Sequence, residues 1–252
     1  MIPILFNDIK VFKEISEKEA MLLSDFFIKN DYVLLSQILT DEIKKHLYEN
    51  VTFVDSNAIN DYRQFFREHN DDSCSDFINA FYVAIHPFYE FILQKKVTQF
   101  IGFGMKYSEK SELKPHYDNY NMPISSTICF YNKDMINYPI LLDKAYFQNP
   151  YPFRLTVDDA INIPKNNIIQ IELNEGDIAI FRGRNHLHWR YKKYIIDYRA
   201  LLLHTEDYMY NNELIGYTNQ NADVNNIKNI NIYALTDLTS YDKFRKDYVM
   251  YF

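Results

Sequence analysis

The chain has 252 residues, 27 Lys and Arg against 34 Asp and Glu, and a net charge of −7 with histidine neutral. With 47% hydrophobic and 24% charged residues it has the make-up of a folded domain, which excludes a wholly disordered chain. The acidic balance, with no basic cluster, argues against a nucleic-acid surface, and no apolar run approaches the roughly 20 residues of a membrane span.

The apolar start Met1–Phe6 is cut off by Asn7 and Asp8, too early for a signal peptide. Two cysteines, Cys74 and Cys129, are too few for a disulfide framework and lack metal-ligand spacing. Together these features predict a protein of the reducing cytoplasm.

The first 95 residues read as helical support. Ser16 with Glu19 spells a capping box, and Ala20, Leu22, Leu23, Phe26 and Phe27 follow as a helical apolar stripe. Thr40 is the expected N-cap of a second helix through Leu47, with Asp41 and Glu42 in its first turn. A third helix is expected over 57–68, a turn at Asp71-Asp72-Ser73, and a long apolar helix to Gln94, bent near Pro87.

After Lys96 the pattern changes. Strands are expected over Val97–Tyr107, Ile124–Tyr131, Pro139–Leu142, Ile168–Leu173, Ile178–Phe181 and Arg199–Leu203, separated by Pro, Asn and Gly. Strand following strand without intervening helices predicts a closed or sandwiched antiparallel sheet. The fold class read here is mainly β with N-terminal helices (α+β), one domain spanning 1–252: helical support over 1–95, a β-barrel-like core over 96–205, and a tail over 206–252. In that tail the Asn-rich stretch 210–231 reads as a loop or lid and 238–251 as an amphipathic helix.

Three segments carry chemistry. In Lys114-Pro115-His116-Tyr117-Asp118-Asn119, an extended backbone puts His116 and Asp118 on one face, and an imidazole beside a carboxylate suits a borderline divalent metal. Alone, that pair is as readily an ordinary hydrogen-bonded couple. In the second, Glu175-Gly176-Asp177 opens an apolar strand to Phe181-Arg182-Gly183, and His186-Leu187-His188-Trp189-Arg190 follows. In the third, Asp197-Tyr198-Arg199 leads into the apolar run Ala200-Leu201-Leu202-Leu203 before His204. A buried Arg199 would need an anion, such as a ligand carboxylate, although an ion pair with Asp197 or Glu206 is the plainer alternative.

Together the three segments resemble the Fe(II)/2-oxoglutarate-dependent dioxygenases, whose hallmark is His-x-Asp, a distant His, and a basic residue about ten positions on. Here His188 follows His116 by 72 residues and Arg199 follows His188 by 11. Phe181-Arg182-Gly183, four residues, then His188-Trp189-Arg190 is similar to a bacterial His-Trp-Arg pattern, and Ile124-Ser125 and Tyr138-Pro139-Ile140 fall where that group has like residues. The resemblance covers about residues 105–204 and implies a double-stranded β-helix (jelly-roll, cupin-like) core.

It also implies that His116, Asp118 and His188 are the catalytic metal ligands for Fe(II), and that 2-oxoglutarate and O2 are co-substrates. Arg199 would bind the far carboxylate of 2-oxoglutarate, with Tyr107 near the same co-substrate or simply a core tyrosine. His188 suits the pattern better than His186, which stays open as the alternative ligand. The implied reaction couples decarboxylation of 2-oxoglutarate to succinate and CO2 with oxidation of a substrate carbon. Because Asp118 retains the carboxylate that halogenating relatives lack, hydroxylation, or a related desaturation or cyclisation, is favoured.

The expected substrate is a small molecule, an amino acid or a peptide, with no nucleic-acid or membrane partner. The oligomeric state is left open, a homodimer included. Two other functions fit the same residues: a catalytically silent jelly-roll binding protein, and a cupin-type metalloenzyme that does not use 2-oxoglutarate.

Overall fold

Helix α1 (Glu17–Asn30) starts at the expected capping box: the Ser16 side chain accepts from the Glu19 amide, and the Glu19 carboxylate accepts from the Ser16 amide at 2.8 Å. Its buried face is Ala20, Ser24 and Phe27, while Leu22 and Phe26 from the expected stripe are exposed. Helix α2 (Asp41–Asn50) is capped by Thr40, whose hydroxyl accepts from Ile43 N at 3.3 Å. Helix α3 (Asp76–Leu93) runs through Pro87 and buries Ile78, Phe81, Tyr82, Ile85, Phe88, Tyr89 and Ile92 at helical spacing.

The computed structural model describes residues 4–51, 53–55, 76–108, 111–118, 122–133, 135–145, 162–191, 193, 195 and 197–207. The helix expected over 57–68, the turn at 71–73, and the segments 210–231 and 238–251 lie outside the described residues. Among those described, no helix is long and apolar enough to cross a membrane.

Twelve strands are described: β1 (Leu5–Phe6), β2 (Ile9–Lys10), β3 (Tyr32–Leu35), β4 (Phe53–Asp55), β5 (Val97–Tyr107), β6 (Leu113–His116), β7 (Ile124–Asn132), β8 (Ile140–Asp143), β9 (Ile168–Ile171), β10 (Ile178–Phe181), β11 (His188–Arg190) and β12 (Tyr198–Asp207). A six-stranded sheet runs β3-β10-β7-β12-β5-β4 and a four-stranded sheet runs β6-β11-β8-β9. Every pairing is antiparallel except β4 with β5. Mostly antiparallel sheets under N-terminal helices are the architecture expected from the strand pattern. One correction applies to the first 95 residues, which also supply strands: β3 and β4 form both edges of the six-stranded sheet.

Alternation of side chains sorts the cores. Val33, Leu35, Ile128, Ile178, Ile180, Leu201 and Leu203 face the helices, together with α3. Phe103, Met105, Tyr107, Cys129, Phe181, Tyr198 and Ala200 face inward, meeting Ile140 and Leu142 of the smaller sheet. Leu141, Leu187 and Trp189 cluster beyond that smaller sheet. On β11 this puts His188 and Arg190 inward and Trp189 outward.

The turn entering β10 is held by Asp177, which has no exposed surface. Its Oδ1 accepts from Gln37 N at 2.6 Å and Gln37 Nε2 at 3.2 Å, and its Oδ2 accepts from Asn174 N at 2.8 Å. Gly176 precedes it at φ 95°, a backbone state that side chains disfavour. Asp177→Ala leaves two part-buried backbone amides without this acceptor, so unfolding in urea should show a loss of about 2 kcal/mol. A loss under about 1 kcal/mol would mean that the turn does not depend on this carboxylate.

Candidate metal centre

His116 closes β6 and His188 opens β11, and the two are register partners across the β6–β11 ladder. Their rings are 4.2 Å apart. Asp118, just past β6, donates its amide to Gly183 O at 3.0 Å, which turns its side chain back toward both imidazoles. His116 Nε2 lies 3.6 Å from Asp118 Oδ1, and His188 Nε2 lies 3.6 Å from Asp118 Oδ2. One ligand atom from each of the three residues falls within 4.8 Å of the other two.

Both rings are oriented from behind. His116 Nδ1 donates to Lys114 O at 2.7 Å and His188 Nδ1 donates to His186 O at 3.1 Å. A carbonyl only accepts, so each Nδ1 carries the proton and each Nε2 keeps its lone pair on the Asp118 side, the tautomer that a metal ligand needs. Burial pushes the His188 imidazole down to about 3 against the pull of Asp118, so it is neutral at neutral pH. Burial opposes charge on Asp118 as well, yet the positive charge that His188, His204 and His116 carry when protonated outweighs burial and holds the carboxyl below its usual range. A bound cation would take over the place of those protons. Two imidazoles and one anionic carboxylate on one side of a point are a facial donor set for a divalent metal such as Fe(II).

No protein-family model matches the chain, and no curated protein is similar to it in sequence. Solved structures are similar in fold. A Pseudomonas putida prolyl-4-hydroxylase superposes with a TM-score of 0.52 at 9% identity, covering 78% of this chain and 98% of the other. The non-heme alpha-ketoglutarate-dependent carbocyclase SnoK from nogalamycin biosynthesis gives 0.54 at 9%, covering 79% and 86%. HygX from Streptomyces hygroscopicus, with nickel and 2-oxoglutarate bound, gives 0.51 at 7%, covering 77% and 88%. The chain has the fold of the iron- and 2-oxoglutarate-dependent oxygenases.

Within that oxygenase fold the structure brings His116, Asp118 and His188 together and keeps His186 apart. His186 Nδ1 donates to Asp143 O at 2.8 Å, and its Nε2 lies 3.8 Å from Asp31 Oδ2. Arg199 is not brought to the three either. It sits on the helix-facing side of β12, in parity with Leu201 and Leu203, where Asp197 takes Nε at 3.0 Å and Nη2 at 2.9 Å. The rings of Tyr48, Phe53 and Tyr131 surround it at 4.3, 4.7 and 5.6 Å. The plainer ion-pair alternative is therefore the observed arrangement, for a physical reason: adjacent residues on a strand face opposite ways, and the inward position is Tyr198. Tyr107 is inward and buried, edge-on to Tyr138 and Tyr198.

Three residues near the centre went unread in the sequence as site residues. Ser125 on β7 donates to Asp118 Oδ2 and accepts from His204 Nδ1 at 3.0 Å. His204, on the inward side of β12, stacks on Phe103. Gly183 supplies the carbonyl that holds Asp118. The readable signal was parity: counting in twos from Tyr198 leads to His204.

Proposed function

We propose that this chain is an Fe(II)- and 2-oxoglutarate-dependent oxygenase that hydroxylates a small molecule, an amino acid or a peptide. The observation that carries the reading is the convergence of His116, Asp118 and His188 on one point of the inner barrel face. These three residues would hold the iron, which with 2-oxoglutarate and O2 would supply the oxidising chemistry, with succinate and CO2 as co-products.

The residues fit that role by their chemistry. The two Nε2 lone pairs and an ionised carboxylate match Fe(II) in charge and softness, and a set of three leaves positions open for co-substrates. Ser125 binds one oxygen of Asp118, which favours single-oxygen ligation by the other. Exposure points out the route in: the His116 side chain is 20% exposed, against 4% for His188, so substrate would approach from the His116 side. Phe181, edge-on to His188 at 5.0 Å, helps keep water from the deep side. An intact carboxylate at Asp118 favours oxygen insertion as the outcome.

The test is reconstitution of the protein with Fe(II) under anaerobic conditions, then 2-oxoglutarate, O2 and a cell extract. Succinate should form only with iron, and mass spectrometry should find a product that has gained one oxygen atom. A silent binding protein, or a metalloenzyme that ignores 2-oxoglutarate, would form no succinate, and that result ends this reading.

A further inference from the structure

A second inward residue of β11 has the more unusual surroundings. Arg190 is 1% exposed. Its Nη1 donates to Tyr138 O, but Nε and Nη2 are buried without a hydrogen-bond partner. The hydroxyls of Tyr107 and Tyr198 beside it are buried and make no well-formed hydrogen bond; their polar neighbours are Arg190 itself and, for Tyr198, Cys129. Burial raises both phenols, so they stay protonated and can donate. Three tyrosine rings frame the guanidinium, with centroids 5.3 Å (Tyr107), 4.8 Å (Tyr138) and 5.4 Å (Tyr198) from its central carbon.

This is a box around a cation in which the acceptors are phenol oxygens and one carbonyl, with no anion among them. Ring faces offset part of the cost of burying a cation, but they accept none of the N–H or O–H groups directed past them. No Asp or Glu forms an ion pair with Arg190 among the described residues, whereas Arg199 is paired with Asp197 through Nε and Nη2. A buried donor without a good acceptor is costly, and a buried guanidinium without a carboxylate more so. A carboxylate answers both needs: it is anionic, has about four lone-pair sites, and matches the fork of an arginine.

The position says which carboxylate. His188 and Arg190 are alternate residues of one strand, so their backbones are about 7 Å apart at a rise of ~3.3 Å per residue, with both side chains inward. That separation suits a five-carbon diacid whose near end meets the metal. We infer that Arg190, framed by Tyr107, Tyr138 and Tyr198, receives the far carboxylate of 2-oxoglutarate, and that Arg199 is an ion-pair residue of the helix-facing side. The inference rests on the reading of the chain as 2-oxoglutarate-dependent, and it concerns which guanidinium serves.

The test uses the full chain loaded with Ni(II), so that no turnover occurs, and calorimetric titration with two oxo acids. One is 2-oxoglutarate; the other is 2-oxopentanoate, which has the same chain length but no far carboxylate. The wild type should prefer 2-oxoglutarate by roughly 100-fold, the scale of a desolvated charge pair. Arg190→Met should erase that preference to within about threefold while keeping its affinity for Ni(II) and for 2-oxopentanoate, and Arg199→Met should retain the preference. Because Met removes an uncompensated buried charge, the ligand-free Arg190→Met protein should melt no lower than wild type.

Should Arg190→Met fail to fold, Arg190→Lys, which keeps the charge but not the fork, and Tyr107→Phe, which removes one donor, should each weaken 2-oxoglutarate several-fold without touching 2-oxopentanoate. Preference retained in the Arg190 variants, or lost in Arg199→Met, overturns the assignment. A wild-type protein that binds Ni(II) but does not distinguish the two acids overturns the 2-oxoglutarate reading itself, a different outcome from failure of Arg190 alone.

Discussion

Changing His188 to alanine should abolish iron-dependent succinate formation and lower the affinity for Ni(II) or Co(II) by at least roughly 100-fold, while His186→Ala keeps turnover and affinity within about tenfold of wild type. The two histidines are two residues apart, and both are buried, so a general effect of core disruption would strike them alike. Their partners separate them. His188 turns Nε2 to Asp118 at 3.6 Å, while His186 spends Nδ1 on Asp143 O at 2.8 Å, on the way to Asp31. What His186 contributes to the centre is its backbone carbonyl, which holds His188 Nδ1 at 3.1 Å, and alanine keeps that carbonyl. Asp118→Ala should match His188→Ala, since it removes the only carboxylate of the set. Calorimetric metal titration reads the first effect and succinate the second. Wild-type metal affinity and turnover in His188→Ala would remove the centre as proposed.

How much of this was visible in the sequence depended on whether a segment is covered on one face or on both. The capping box at Ser16 and Glu19 and the cap at Thr40 are local hydrogen bonds between near neighbours, so spelling is enough to find them. Strands β5, β7 and β10 were found within one residue, β7 and β10 because Pro, Asn or Gly flank their apolar runs, β5 because its run breaks at Lys96 and Ser108. Arg199 shows where that legibility fails. The run Ala200-Leu201-Leu202-Leu203 is apolar at every position because its sheet has a core on each side: Leu201 and Leu203 belong to the helix side, Ala200 to the inner side. Without alternation there is no parity to read, and a shift of one residue exchanges the faces. An interval of 11 residues therefore located a guanidinium near the centre in sequence while leaving its face undetermined. Strand β3 was hidden for a related reason. Tyr32-Val33-Leu34-Leu35 lies between two helices, and four apolar residues fit a helix as well as a strand; pairing with β10, far along the chain, decides it. The pair His116 and Asp118 was read from the assumption of an extended chain, yet β6 ends at His116. Asp118 is brought round by its amide bond to Gly183, a contact between distant segments that no local pattern encodes.

That contact makes Gly183→Ala the sharpest single change available. Of the two glycines beside the centre's strands that a turn or close approach requires, Gly176 needs its positive φ, but Gly183 does not have one, so what Gly183 provides is space. A Cβ built there would overlap Asp118 Oδ2 and Ser125 Oγ and would sit 3.0 Å from Asp118 Cγ. Neither side can easily recede. The Gly183 backbone is tied to Asp118 N at 3.0 Å, and Ser125 is fixed on β7 opposite Phe181. The easiest relief is rotation of the Asp118 side chain away from Ser125, which also takes the carboxylate away from the two Nε2 atoms. One methyl group should then cost metal affinity about as much as removing a ligand, roughly 100-fold, with a stability loss of only about 1–3 kcal/mol, as for other overpacked sites. Ser125→Ala is the graded comparison: it removes the donor that steadies Asp118 but leaves room, so it should weaken metal binding by about 10-fold to 100-fold. Adding Ser125→Ala to Gly183→Ala relieves one of the two overlaps, and the double variant should bind metal no worse than Gly183→Ala alone. Metal titration alongside circular dichroism reads both quantities. If Gly183→Ala binds Ni(II) like wild type, Asp118 does not lie against this loop in the metal-competent protein, and the geometry that joins it to His116 and His188 is wrong.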